Sequence, residues 1–413
     1  MREMKDSGIA WIGAIPQDWQ LSKIGNLYTQ RNEKVSDKDY QPLSVTMQGI
    51  LPQLATAAKT DDGDNRKLVR VGDFAINSRS DRRGSCGISP LDGSVSLINI
   101  ILTPRTAMHP GYYNWLFHTT LFADEFYKWG HGIVADLWTT RWQEMKSITV
   151  PVPEYAEQER IAAFLDAECA EIDAVLEKTR ASIEEYKKLK QAVITQAVTK
   201  GIRGDRPMKD SGIEWIGDIP AEWDVIRVKQ LLKERNERSK EGKEEPLSMS
   251  QKVGLVPTKF LESIPNMASS FVGAKLAYVD DLVFNKLKAH LGVFSVSRYD
   301  GLVSPDYAVY CSTGKSNLKY LEYIFKTPQC IGEFRKKSTG IAAGLMRLYT
   351  EGLFSIYLPY PALSEQEEIA EYLNEKCAGI DTLIVKKQQY LTKIENYKKS
   401  LIYEYVTGKK EVV

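Results

Sequence analysis

The chain carries, over residues 4–19, the stretch MKDSGIAWIGAIPQDW, and residues 208–223 repeat it as MKDSGIEWIGDIPAEW. In this alignment 12 of the 16 positions are identical, at a fixed offset of 204 residues. A match of this length at one spacing indicates that the chain arose by tandem duplication. Because a duplicated chain has approximate internal two-fold symmetry, we expect two similar halves.

The duplication continues towards the end of the chain, where the matching positions lie at an offset of 208 residues. These positions pair Asn77 with Asn285, Gly132 with Gly340, Pro151 with Pro359, residues 157–159 with residues 365–367, and Cys169 with Cys377. The second copy therefore gains four residues in its variable middle. Copies of about 200 residues are each long enough to bury a core.

Each copy begins with a segment of mixed character, residues 1–150 and 205–358. Short apolar runs rich in β-branched and aromatic residues predict strands in these segments. The runs are residues 68–76 and 97–102 in the first copy and residues 276–284 and 307–310 in the second. Residues 112–127 and 318–334 have a helical pattern instead.

Each copy ends in a segment of a different kind, residues 157–200 and 365–407. These segments contain no proline and one glycine, Gly379, and their apolar residues recur every three or four positions, which predicts long helices. A Pro-x-Pro run precedes each segment and a glycine follows it, as expected for helix boundaries. A long apolar stripe needs a second long helix to cover it, so we expect an antiparallel pair. A simple coiled-coil dimerisation arm is the alternative.

The predicted fold class is α+β with internal pseudo-two-fold symmetry. Two similar globular domains, residues 1–153 and 204–361, are separated by two long antiparallel coiled-coil helices, residues 154–203 and 362–413. DNA is the partner that we expect, because its backbone carries two-fold axes that dimeric readers mirror.

Composition excludes several other classes of protein. The formal net charge of +1 does not fit a protein that coats nucleic acid through bulk charge. No apolar run approaches the roughly 20 residues that cross a bilayer. An N-terminal stretch without an apolar signal region and five scattered cysteines lead us to expect a cytoplasmic protein with free thiols.

The sequence shows no constellation of catalytic or metal-binding residues. The four histidines lack ligand spacing with one another and with the cysteines, and no glycine-rich nucleotide motif follows a strand. The chain is therefore expected to be a binding protein that has no active site. A nuclease or methyltransferase with a degenerate motif is the enzymatic alternative, and an adaptor that does not contact DNA is another.

The repeated N-terminal stretch resembles type I restriction–modification specificity subunits, the HsdS family. The run Pro-x-Pro-x-x-x-Glu-Gln-Glu-x-Ile-Ala-x-x-Leu after each mixed segment carries the same resemblance, in order and twice. The resemblance implies two target recognition domains, each of which reads one half of a bipartite, asymmetric DNA site. It also implies that the long helices act as spacers and bind two modification (methyltransferase) subunits, to which restriction/translocase subunits can be added.

The resemblance further implies a non-catalytic DNA-binding subunit that binds no cofactor itself. S-adenosylmethionine, ATP and Mg²⁺ would belong to the partner subunits. The specificity subunit of a nuclease-free, phage-defence methylation system is the alternative within the same class.

Three segments in each copy are candidates for contact with DNA: residues 46–49, 77–84 and 130–141 in the first copy, and residues 250–252, 285–292 and 339–349 in the second. Arg and Lys suit guanine, Asn and Gln suit adenine, and hydroxyl groups suit phosphates. Residues 66–83 have a net charge of +4, for which a solvated loop is the alternative explanation. The loops 77–84 and 285–292 keep Asn at the start and Gly at the end, whereas their interiors differ. The DNA-binding candidates are Gln48, Asn77, Ser78, Arg79, Ser80, Arg82, Arg83 and Arg141, and Gln251, Lys252, Lys286, Lys288, His290, Arg347 and Tyr349.

Four tryptophans are identical between the copies and are therefore expected to anchor each domain to the helices. They are Trp11, Trp19, Trp215 and Trp223. Trp138 and Trp142, in the segments that differ, are expected to lie in the core.

Overall fold

A computed structural model of the chain describes residues 2–54, 62–132, 138–251, 253–261, 271–340 and 346–412. The chain divides into two compact units. Unit 1 consists of Met1–Arg180 and Gln388–Val413, and unit 2 consists of Ala181–Lys387. Both units contain an N-terminal mixed segment and parts of both long helices.

The elements of unit 1 alternate short strands with short helices. The strands are β1 (Met4–Asp6), β2 (Ala14–Pro16), β3 (Gln20–Lys23), β4 (Tyr28–Arg31), β5 (Lys34–Val35), β6 (Leu43–Thr46), β7 (Gly49–Pro52), β8 (Arg66–Val69), β9 (Phe74–Asn77), β10 (Cys86–Ile88), β11 (Gly93–Val95), β12 (Asn99–Pro104) and β13 (Thr149–Val152). The helices are α1 (Ile24–Leu27), α2 (Pro110–Phe117), α3 (Thr120–Lys128), α4 (Trp142–Met145) and the start of α5 (Tyr155–Lys200).

The elements of unit 2 follow the same order. The strands are β14 (Met208–Asp210), β15 (Asp218–Pro220), β16 (Asp224–Arg227), β17 (Leu232–Arg235), β18 (Leu247–Ser250), β19 (Gly254–Pro257), β20 (Lys275–Ala277), β21 (Leu282–Asn285), β22 (Phe294–Val296), β23 (Gly301–Val303), β24 (Tyr307–Ser312) and β25 (Tyr357–Tyr360). The helices are α6 (Val228–Leu231), α7 (Leu318–Phe325), α8 (Pro328–Lys337), α9 (Thr350–Phe354) and the start of α10 (Leu363–Val406).

The four-stranded sheets of the two units correspond strand by strand. In unit 1 an antiparallel sheet has the order β10-β9-β12-β4, with Asn99 opposite Asn77. In unit 2 the corresponding antiparallel sheet has the order β17-β24-β21-β22, with Tyr307 opposite Asn285. In each unit a hairpin packs beside this sheet, β6–β7 in unit 1 and β18–β19 in unit 2.

Tight turns divide several of the runs that the sequence predicted as single elements. Residues 68–76 form the end of β8 and the start of β9, because Gly72 turns the chain at a φ of +86°. Asp280 turns residues 276–284 in the same way, at a φ of +67°. Residues 112–127 form α2 and α3, because Thr119 caps a new helix by accepting a hydrogen bond from Phe122 N.

The prediction of two long helices is confirmed. Helix α5 begins two residues after Pro153 and ends before Gly201, which has a φ of +75°. Helix α10 ends two residues before Gly408, which has a φ of +69°. Glycine accepts this left-handed conformation without the steric cost of a Cβ atom, so both helices end at the predicted stops.

The two long helices run antiparallel within each unit. In unit 1 the Nζ atom of Lys398 lies 2.6 Å from Asp173 Oδ1, and Arg180 Nη2 lies 2.6 Å from Glu395 Oε1. In unit 2 the Nζ atom of Lys190 lies 2.6 Å from Asp381 Oδ2. This last pair is the counterpart of Lys398 with Asp173 at the offset of 208 residues, so the helix pairing repeats the symmetry of the sequence.

The repeated tryptophans anchor each globular segment to the long helices. Trp19 is 1% exposed, and its Nε1–H donates a 2.9 Å hydrogen bond to Glu157 Oε2 in the first turn of α5. Arg2 donates to the same carboxylate, and this hydrogen bond raises the pKa of Arg2. The buried Tyr112 hydroxyl donates a 2.8 Å hydrogen bond to the carbonyl of Val406, near the end of α10.

Unit 2 repeats this anchor with the equivalent residues. Trp223 Nε1–H donates a 2.9 Å hydrogen bond to Glu365 Oε2, and Arg206 pairs with the same carboxylate at 2.7 Å. Tyr320 donates a 3.4 Å hydrogen bond to the carbonyl of Val198 in α5. Trp11 lies in the core of unit 1, and Trp215 packs half-buried against the core of unit 2. The anchoring role expected for these tryptophans therefore has a physical basis in both units.

Candidate DNA-recognition site

Two of the three candidate segments of unit 1 lie side by side. Ser80 N donates a 2.9 Å hydrogen bond to the carbonyl of Trp138, and Thr140 N donates a 3.0 Å bond to the carbonyl of Ser78. Unit 2 repeats the arrangement with a 3.0 Å bond from Leu348 N to the carbonyl of Lys286. The loop that follows β9 or β21 is thus joined to the segment that precedes α4 or α9.

The third segment, the β6–β7 turn, forms the opposite wall of a cleft. This cleft has a volume of about 930 Å³, and Gln48, Asn77, Arg79 and Arg82 line it. We call the turn 46–49, the loop 77–84 and residues 138–141 the recognition face of unit 1. Its counterpart in unit 2 comprises residues 250, 251, 253 and 254 together with residues 285–292 and 346–349.

The cleft of unit 2 is smaller than that of unit 1, and a hydrogen bond connects its two walls. Its volume is about 410 Å³, and Gln251, Asn285 and Lys288 line it. Gln251 Nε2–H donates a 3.2 Å hydrogen bond to the carbonyl of Leu291, which ties the hairpin to the loop. The two recognition faces share a backbone frame but differ in volume and in side chains.

The shared asparagines of the two loops have a structural explanation. Asn77 is 7% exposed, and its Oδ1 atom accepts a 3.0 Å hydrogen bond from Arg79 N. Asn285 Oδ1 accepts the equivalent 3.1 Å bond from Leu287 N. This side chain-to-backbone turn fixes the start of each loop. Ser78 is also buried, and its hydroxyl donates to the carbonyl of Ile98.

The arginines of the first recognition face differ in how strongly they are held. The Arg83 guanidinium forms an ion pair with Asp124, and Arg82 Nε lies 3.7 Å from Asp81 Oδ2. Arg79 is exposed, and among the described residues its side chain has neither an ion pair nor a hydrogen bond. Arg79 is therefore the arginine of this cleft that is most available to a ligand.

The basic residues of the second recognition face are more constrained. Lys286 donates a 3.2 Å hydrogen bond to the carbonyl of Pro305, and burial lowers the pKa of its amine. Arg347 pairs with Asp306 at 3.4 Å. His290 is 7% exposed, so its ring is not presented to solvent, whereas Lys288 is exposed at the cleft.

The remaining predicted residues lie at the edges of the recognition faces. Gln48 and Gln251 are exposed at the hairpin turns, and Arg141 and Tyr349 are exposed at the starts of α4 and α9. Ser80 is half-buried in the loop of unit 1. Lys252 lies outside the described residues, as do residues 133–137 and 341–345 of the candidate segments.

Two residues of the first recognition face were not among the DNA-binding candidates. Trp138, which we expected in the core, is 39% exposed, because its chain segment lies along the surface loop 77–84. Trp142 does pack against the core of unit 1. Met47 is 71% exposed at the β6–β7 turn and lines the cleft. The sequence feature that could have predicted the exposure of Met47 is its position between two polar residues, Thr46 and Gln48, at a hairpin turn.

Neither a metal centre nor a membrane span is found in the part of the chain that the structure describes. No group of three or more His, Cys, Asp or Glu side chains among these residues is placed to hold a metal ion. No helix among them combines the length and the apolar character needed to cross a bilayer. All five cysteines are free thiols.

The chain is similar in sequence to known specificity subunits of type I restriction enzymes. The chain is 22% identical to the type I restriction enzyme MjaVIII specificity subunit of Methanocaldococcus jannaschii, over 96% of this chain and 93% of that relative. The resemblance inferred from the sequence is confirmed. No protein-family model matches the chain.

Two solved structures have the same fold as this chain. A chain from a structure of the complex assembly and conformational transition of a type I restriction–modification system superposes with a TM-score of 0.73 at 12% identity, covering 96% of this chain and 99% of that one. The HsdS subunit of Thermoanaerobacter tengcongensis superposes with a TM-score of 0.53 at 15% identity, covering 96% and 98%. The predicted α+β fold with two long antiparallel helices is confirmed.

Proposed function

We propose that this chain is the DNA sequence-specificity subunit of a type I restriction–modification complex. The observation that carries the proposal is the pair of recognition faces, which have the same backbone frame and different side chains. Arg79 in the first loop corresponds to Leu287 in the second, at the offset of 208 residues. Two such faces on one chain suit a bipartite, asymmetric DNA site, with one half-site for each unit.

In this proposal residues 1–153 and 204–361 are the target recognition domains, and residues 154–203 and 362–413 are the helical spacers. The exposed arginines and amides supply base contacts, and neighbouring hydroxyl and amine groups position the DNA through its phosphates. The chain carries out no catalysis by itself. S-adenosylmethionine, ATP and Mg²⁺ are used by its partner subunits in the cytoplasm.

The partner subunits bind to the long helices. In unit 1 Val175 of α5 and Tyr397 of α10 are 40% and 54% exposed, and they lie within two residues of the ion-paired Asp173 and Lys398 along the chain. In unit 2 their counterparts, Leu383 and Leu189, are 42% and 48% exposed beside Asp381 and Lys190. Equivalent apolar surfaces in the two units support two modification subunits for each chain.

The proposal is tested by co-expressing the chain with the modification subunit of its own system and mapping DNA methylation by long-read sequencing. We expect a bipartite motif with two different half-sites. The isolated chain should show no turnover with S-adenosylmethionine or with Mg²⁺, and its DNA binding should weaken as salt increases. Turnover by the isolated chain, or methylation without a bipartite motif, would contradict the proposal. Copurification of a translocase subunit separates a restriction system from a nuclease-free one.

A further inference from the structure

Met47 is an apolar side chain presented to solvent at the tip of the β6–β7 hairpin. With 71% of its surface exposed, it contributes little to the core of unit 1. The turn is nevertheless firmly built. Thr46 Oγ1 donates a 2.9 Å hydrogen bond to the carbonyl of Gly49 and accepts a 3.1 Å bond from Gln48 N. Met47 is therefore held out from the surface on an ordered turn.

The hairpin also rests directly on the sheet of unit 1. Gly49 has a φ of +103°, which favours glycine, and a Cβ atom added to Gly87 in β10 would lie only 2.9 Å from Gly49 Cα. The two glycines thus allow the backbone of the turn to approach β10 closely. This contact holds the hairpin that carries Met47 against β10.

The cleft beneath this turn has walls of different chemistry. Met47 and Gln48 form the hairpin wall, and Arg79 and Arg82 form the loop wall. A guanidinium suits the O6 and N7 acceptors of guanine, and an amide suits the N6 and N7 atoms of adenine. A thioether side chain suits neither, because it lacks a hydrogen-bond donor.

In the major groove the apolar feature of a base edge is the 5-methyl group of thymine. Met47 and Gln48 are neighbours at one turn, as the methyl group of thymine and the amino group of adenine are neighbours in one A·T pair. We propose that Met47 contacts the methyl group of a thymine in the half-site of unit 1, beside the adenine contact of Gln48. This assignment rests on the proposed function and makes Met47 a specificity-determining residue.

Unit 2 places an apolar residue at the corresponding turn. Val253 is 64% exposed between β18 and β19, and Gly254 after it has a φ of +77°. A Cβ atom added to Gly254 would lie 2.6 Å from Ser295 Oγ in β22, the counterpart of the Gly87 contact. The duplication has therefore kept an exposed apolar tip, on a hairpin seated in the same way, although the turn sequences differ.

The inference is tested with the assembled complex and duplexes that carry the bipartite motif found by methylation mapping. Each thymine of both half-sites is replaced in turn by deoxyuridine, which removes the methyl group and keeps the hydrogen-bonding pattern. Competition binding should show that one replacement in the half-site of unit 1 weakens binding by roughly fourfold, as expected for one buried methyl group. The Met47→Ala complex should bind that duplex and its thymine parent equally, whereas Met47→Leu should still distinguish them.

Val71→Ala is the matched control. Val71 is 64% exposed in the same unit, but it lies in the turn before β9, at the opposite end of that strand from Asn77, so this variant should behave as the wild type. The inference is overturned if no thymine shows a methyl requirement, or if Met47→Ala keeps the wild-type requirement. A complex that methylates no bipartite motif would instead contradict the proposed function, and this inference with it.

Discussion

The role of a residue in the loops 77–84 and 285–292 depends on whether its side chain bonds to the loop backbone or points to solvent. Asn77 and Asn285 are buried and half-buried, respectively, and bond to backbone amides, so they hold their loops in one conformation. Arg79 and Leu287 occupy the same position of that conformation and differ in chemistry. Residues that are identical between the copies therefore support the backbone of the loop, and residues that differ are the candidates for contact with bases.

Replacing Arg79 and Arg82 with alanine should weaken recognition of one half-site. Removing one arginine–base hydrogen-bond pair is expected to cost about 1–3 kcal/mol, because a bidentate arginine discriminates guanine from other bases. The measurement is competition binding by the assembled complex, with each half-site scrambled in turn. Arg70→Ala is the control, because Arg70 already pairs with Asp92 at 3.1 Å. A weakening that is uniform across unrelated sequences would show that these arginines bind phosphates.

Breaking the Trp19 anchor should loosen unit 1. A double-mutant cycle of Trp19→Phe with Glu157→Gln should give a coupling energy of about 1.5–3 kcal/mol, the usual contribution of a hydrogen bond to a charged group. Denaturant unfolding measures the energy, and hydrogen exchange shows which unit loosens. The cycle of Trp223→Phe with Glu365→Gln should act on unit 2 alone. Additive effects in both cycles would mean that these hydrogen bonds do not anchor the units.

At the scale of elements, the sequence predicted the long helices better than the short strands. Periodicity, a Pro-x-Pro run and a glycine stop agree over each of the two long segments, so α5 and α10 lie where they were expected. The strands are short, and single residues such as Gly72 and Asp280 turn the chain inside one apolar run. The position of such a turn cannot be predicted from the apolar run itself, because it depends on the positive φ of a single residue.

The recognition faces were predictable as segments but only partly as side chains. The β6–β7 turn and the loop 77–84 do line one cleft, and residues 138–140 are hydrogen-bonded to that loop. Burial of Asn77, Ser78 and His290 could not be read from the sequence, because each lies one or two residues from an exposed neighbour and no periodic pattern separates the buried positions from the exposed ones. The exposure of Trp138 was missed for the same reason.

Lengthening both long helices by the same amount should change the DNA spacer and leave the half-sites unchanged. The change is an insertion of seven residues after Arg180 in α5 and of another seven after Lys387 in α10, which keeps the ion pairs within each unit. Each insertion adds about 10 Å of helix. It rotates the apolar stripe by no more than a few tens of degrees, because seven residues are close to two full turns. This length matches about three base-pair steps of 3.4 Å. Methylation mapping reads the spacer directly, and insertion into α5 alone, which shifts the helix register, serves as the control. An altered half-site with an unchanged spacer would contradict the idea that the helices set the spacing.

For the whole molecule, the duplication implies that one copy contains every part of the fold. The first copy holds both Asp173 and Lys190, whose partners Lys398 and Asp381 are the second-copy counterparts of Lys190 and Asp173. Two identical first copies placed about a two-fold axis could therefore remake both ion pairs. They could also cover the apolar stripe that a single α5 leaves exposed.

A fragment ending at Gly204 should consequently form a two-fold dimer. Because both recognition faces would then be identical, the dimer bound to modification subunits should methylate an inverted repeat of the first half-site. Light scattering measures the dimer, and methylation mapping after co-expression reads the motif. Lys190→Glu, which places like charges opposite Asp173 twice, should weaken the dimer, and Asp173→Lys added to it should restore the association. A monomeric fragment that still supports methylation of the original asymmetric site would contradict this prediction, because the second half-site would then need no second recognition domain.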